Sequence, residues 1–99
     1  MGHYQNVAIE TYRNSGESSS SAIRARPLSG QGFPCDTKVE CSKKMRSTYS
    51  VGTVFIVWAK VTDRDGTPFL YTSWRSEYQV VEKGAALARV AAGSLGNAT

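Results

Sequence analysis

The chain has 99 residues, of which 40% are hydrophobic, 20% charged and 10% aromatic, with a formal net charge of +4. That length accommodates one small domain and excludes two, and the apolar and aromatic content excludes a wholly disordered chain. The longest apolar run, Val54 to Ala59, is strand length and far short of the roughly 18 residues of a membrane helix, so no membrane partner is expected.

Met1 to Asn6 has no basic segment followed by an apolar stretch. No secretory signal is therefore expected, the expected location is the cytoplasm, and Cys35 and Cys41 are expected to be reduced there. Tyr4 to Tyr12 alternates, with Val7, Ile9 and Thr11 on one face and Asn6, Ala8, Glu10 and Tyr12 on the other, which predicts a strand. The polar, serine-rich segment 14–20 reads as a mobile loop. Ala22 to Leu28 is a second, weaker strand in which Ile23 and Ala25 share one face and Arg24 and Arg26 the other. Pro27 cannot donate to a ladder, which confines that strand to an edge. Ser29 to Pro34 is a turn-rich connector.

Asp36 to Tyr49 is read as a helix of two to three turns, with Thr37 as N-cap and Glu40 completing a capping box, and with Cys41 and Met45 on an apolar stripe. Val51 to Thr62 is β-branched and aromatic throughout and apolar on both faces over 54–59, the pattern of a central strand. Phe55 and Trp58, mid-strand among Val and Ile, are assigned to the core. Asp63 to Gly66 makes a turn, Pro68 to Trp74 returns as the hairpin partner, and Tyr78 to Val81 follows as the third strand of a meander. The alanine-rich segment 82–95 predicts a helix, with a narrow Leu87, Val90, Ala91 stripe and Gly93 or Gly96 ending it.

The sum is an α+β fold. It is either a small, mostly antiparallel five-stranded sheet or a partly closed SH3-like barrel, with a C-terminal helix and a short helix near 37–47. One domain spans 1–99, with a frayed tail at 96–99. Tyr49-Ser50-Val51-Gly52-Thr53-Val54-Phe55 resembles the opening of a strand in small β-barrel domains, SH3-like ones included. That resemblance covers seven residues and implies nothing about activity.

Charge is concentrated. Arg24, Arg26, Lys38, Lys43, Lys44 and Arg46 face only Asp36 and Glu40 within residues 21–46, and the rest of the chain is neutral. Such a patch attracts polyanions or an acidic protein surface, and is equally at home as a solvated face that keeps a protein dispersed.

Catalytic supply is thin. The single histidine, His3, stands near a terminus, where fixed general-base geometry is hard to maintain. Cys35 and Cys41 have C-x5-C spacing with no second pair, no glycine-rich phosphate loop is present, and Asp63 and Asp65 suit a turn better than a calcium loop. The expectation is a non-enzyme with no cofactor and no metal.

Binding is better supplied. Arg24, Arg26, Lys43, Lys44 and Arg46 offer phosphate contacts, and Trp74, Arg75 and Tyr78 offer a stacking surface at a turn. The leading expectation is a small binding module that engages nucleic acid or a nucleoprotein complex through this basic face. The alternative is a protein-binding inhibitor or adaptor, of the kind carried on mobile elements, that occludes a partner's functional surface, since Arg, Trp and Tyr also anchor protein interfaces. Self-association as a homo-oligomer, through the edge at 22–28 or the alanine-rich helix, is compatible with both.

Overall fold

One long strand organises the molecule. The computed structural model describes residues 3–13, 23–34, 37–64, 66–73 and 77–93. Its strands are β1 (Gln5–Arg13), β2 (Ile23–Pro27), β3 (Lys38–Glu40), β4 (Val54–Arg64), β5 (Thr67–Tyr71) and β6 (Tyr78–Val81), and its helices are α1 (Lys43–Thr48) and α2 (Lys83–Ala91). The sheet order is β2-β1-β4-β5-β3, with β6 also paired to β4. Every pairing is antiparallel except β3 with β5. β2 and β3, the two ends of the path, lie against each other. The result is a small α+β domain with a nearly closed, barrel-like sheet, the second of the two forms the sequence left open.

The two faces of β1 and β4 build two separate cores. Val7 and Ile9 of β1 join Phe55, Val57 and Ala59 of β4, Ala25, Met45 and Leu70 inside the barrel. The opposite residues, Ala8, Val54 and Ile56, meet Leu28 and Ala86 outside it, under α2. Removing each Val, Ile or Phe from water contributes about 1.5–3 kcal/mol, so the apolar run at 54–59 stabilises the fold on both sides at once.

Several expectations are corrected. The capping box at Thr37 and Glu40 does not start a helix. Residues 38–40 instead form β3 along β5, and the Thr37 hydroxyl donates to the Pro34 carbonyl. The helix begins at Lys43, with the Ser42 hydroxyl accepting from the Met45 amide. Two turns of good helix signal thus yield to a sheet edge that needed a partner, because tertiary pairing outweighs a few tenths of a kcal/mol of local propensity, roughly.

The meander is also rearranged, for β6 returns to β4 rather than pairing with β5. β5 pairs with Lys60–Arg64 and β6 with Val54–Val57, so the two run in succession along β4. Trp58 and Ala59 lie between these two stretches of β4 and pair with neither β5 nor β6. Trp58 is not core but 42% exposed. The helix α2 buries Ala86 and half-buries Val90, whereas Leu87 and Ala91 face outward. Gly93, at φ 71°, ends it, with its amide donating to the Val90 carbonyl.

The connector after β2 has a structural task. β2 stops at Pro27, and the Leu28 amide makes one more bond to the Ala8 carbonyl. Beyond that point the Gln31 carboxamide takes the place of a strand: its Oε1 accepts from the Ala8 amide at 2.8 Å, and its Nε2 donates to the carbonyls of Ala8 and Leu28. Gly30, at φ 92°, lies so close to α2 that a Cβ would stand 3.1 Å from Val90 Cγ1. The mobile-loop segment 14–20, Cys35 and the tail 96–99 lie outside the described residues.

Candidate functional site

The basic residues Arg24, Arg26, Lys43, Lys44 and Arg46 are divided between β2 and α1. Ala25 points into the barrel, so Arg24 and Arg26 on either side of it belong to the outer side of β2. Arg26 lies 3.6 Å from the Glu10 carboxylate and 4.7 Å above the Tyr12 ring. Glu10 also receives Lys83 from the start of α2 at 2.8 Å. Arg26 is therefore spent largely on closing the outer face over a buried carboxylate.

Arg46 is structural as well. Its Nη1 donates to the Ile23 carbonyl at 2.9 Å and so fastens α1 to the beginning of β2. Lys43 and Lys44 are exposed on α1, whose Met45 belongs to the inner core. Trp74 and Arg75 lie outside the described residues. Of the eight residues singled out in the sequence, Lys44 and Tyr78 are brought to one place. They line a cavity of about 250 Å³ with Ser42, Thr48, Thr72 and Ser73, at an end of the barrel. Tyr78 sits edge-on to Phe55 and Tyr49, and its hydrogen bond with Tyr49 raises its pKa above the ordinary phenol value. Cys41, packed against the inner core, has its thiol pKa pushed up by burial, with Arg46 pulling weakly the other way.

A second surface was not anticipated from the sequence. Trp58 stands on the outer face where α2 does not cover it, and its ring stacks on Tyr4 with centroids 6.1 Å apart and planes within 11°. The Lys60 ammonium lies 5.2 Å from the centre of the Tyr4 ring. Both rings are over a third exposed. Strand register fixes this strip: Asn6 is directly opposite Trp58 on β1, and Gln79 is opposite Ile56 on β6. Between them opens a cleft of about 500 Å³, lined by Asn6, Ile56, Trp58, Glu77, Tyr78, Gln79 and Arg89.

The signal for this strip was present in β4. Val54, Ile56, Trp58 and Lys60 share one face, and its change from aliphatic to aromatic to charged marks where a covering helix ends.

The strip offers two flat aromatic faces, cations at either side and two carboxamides that can both donate and accept. Among the described residues, no cluster of three or more His, Cys, Asp or Glu is placed to hold a metal ion. No helix among them is long and apolar enough to cross a membrane. No family model, curated protein or solved structure matches the chain.

Proposed function

We propose that this domain is a non-enzymatic module that binds nucleic acid, as a single strand, across the outer-face strip Tyr4, Trp58 and Lys60. The observation that carries the reading is the exposed Tyr4–Trp58 stack with a lysine ammonium over it. Every base has a flat π-face, so an exposed aromatic pair accepts successive bases without regard to sequence, at about 1–3 kcal/mol per base. Lys60, beside the Tyr4 ring, is placed to meet a phosphate of a strand stacked there. Lys43, Lys44 and Arg24 act at longer range, adding to the positive potential that draws a polyanion toward the domain.

Fluorescence anisotropy with single- and double-stranded DNA and RNA, at low and moderate salt, tests this. Single strands should bind more tightly than duplexes, and affinity should fall as salt rises. Trp58→Ala should weaken binding about 5- to 150-fold, the equivalent of one lost stacking contact. Lys60→Ala should reduce the salt slope by about one phosphate contact. Absence of binding at low salt would overturn the proposal.

A protein-binding inhibitor or adaptor is the second reading, favoured by the edge at β6. No described strand other than β4 pairs with β6, and Tyr78 and Val80 on it are exposed. Such an edge can accept a strand from a partner. Val80→Lys separates the two readings. It should leave oligonucleotide binding intact under the first and impair partner binding under the second.

A further inference from the structure

We propose that the cleft beside Trp58 seats one unstacked base of the bound strand and selects guanine. This rests on the nucleic-acid reading above and adds a specificity to it. The floor is Ile56 and the side wall is Trp58, both carried on the outer face of β4. Asn6 and Gln79 flank that floor from the two neighbouring strands, Glu77 stands at the start of β6, and Arg89 reaches in from α2. A volume of about 500 Å³ lies within the range of roughly 300–1,000 Å³ typical of small-ligand sites, and the cleft is apolar below and polar around its rim.

The chemistry of the rim distinguishes the bases. At neutral pH a glutamate only accepts hydrogen bonds and an arginine only donates them. Guanine alone combines two adjacent N–H donors on one edge, N1–H and the N2 amino group, with two adjacent acceptors, O6 and N7, on the other. A carboxylate on the first edge and a guanidinium on the second complement both. Adenine and cytosine each offer an amino group beside an unprotonated ring nitrogen, which a carboxylate repels. Thymine and uracil present one N–H between two carbonyls. The carboxamides of Asn6 and Gln79 can adjust to any base, so discrimination falls to Glu77 and Arg89.

The test uses the whole chain and fluorescent oligothymidine with one central position replaced by dG, dA, dC or deoxyinosine. The dG strand should bind more tightly than unsubstituted oligothymidine by about 5- to 150-fold, the range a bidentate contact supplies. Deoxyinosine, which lacks the N2 amino group, should lose most of that preference. Glu77→Gln, at an exposed position, should remove the preference, read as the ratio of dG-strand to oligothymidine affinity within the same variant. Equal binding of all strands, or a dG preference that survives both deoxyinosine and Glu77→Gln, would overturn the inference and leave the stacking strip standing. Failure of every strand to bind would instead remove the function on which it rests.

Discussion

Strands β1 and β4 carry apolar side chains on both faces, yet the two faces end differently. The inner face is sealed: Val7, Ile9, Phe55, Val57 and Leu70 are almost wholly buried by the curl of the sheet itself. The outer face depends on an added cover, α2, which reaches Ala8, Val54 and Ile56 and leaves Trp58 in solvent. Along β1 and β4 the curled sheet buries the inward positions, whereas a helix laid on the outside buries only what lies beneath. Stability should therefore reside mainly inside the barrel and recognition on the uncovered part of the outer face.

The largest test of that division is Phe55→Ala. Phe55 is fully buried and holds Tyr49 and Tyr78 edge-on, so its removal should cost about 3–5 kcal/mol in chemical denaturation. Gln31→Ala should come next, because it leaves the Ala8 amide without its acceptor; a loss of about 1–3 kcal/mol is expected, with the m-value unchanged. Glu10→Gln breaks the ion pairs to Arg26 and Lys83, whose own side chains are about half exposed, so the loss should stay near 0.5–1 kcal/mol, roughly, and shrink in high salt. Trp58→Ala should be smaller still in stability, about 0.5 kcal/mol by the usual scale of exposed substitutions, while having the greatest effect on oligonucleotide binding. A Trp58→Ala variant that unfolds like Phe55→Ala would erase the distinction between the faces.

Cys41 gives a pH reading of the inner face. Burial holds its thiol pKa up, so at pH 7–8 it should react with iodoacetamide more slowly than an exposed cysteine, as followed by mass spectrometry of the Cys41 peptide. The sign for stability follows from the raised value. The fold favours the protonated thiol, so this contribution is whole below the unfolded thiol pKa and is lost as pH rises through the folded one. Labelling of Cys41 at the rate of free cysteine would show that the inner core opens easily.

Much of the fold is legible in the amino-acid pattern because it depends on local period and composition. The alternation from Tyr4, the doubly apolar run at 54–59 and the alanine-rich helix each emerge as elements close to their expected bounds. What the pattern cannot carry is competition between partners. Thr37 to Glu40 has a sound helix start, but β5 offers that segment a ladder and wins. Likewise β6 follows β5 in the chain yet finds an open edge on β4. The site was harder to read, because charge counted along the chain says nothing about which cations are already engaged. Arg26 and Arg46 counted toward a basic patch and are occupied by Glu10 and the Ile23 carbonyl. Trp58 counted as core because a run of β-formers does not reveal how far its cover extends.

The reach of that cover is set by one terminator. The nine residues of α2, at about 1.5 Å each, extend roughly 14 Å, while the eleven of β4, at about 3.3 Å each, extend roughly 36 Å. Gly93 halts the helix just as it arrives over Asn6, where Val90 and Gly93 meet β1 and the Gly30 turn. Helix length thus works as a shutter: a further turn or two would roof the tryptophan and convert the proposed docking surface into ordinary interior without altering a single strand.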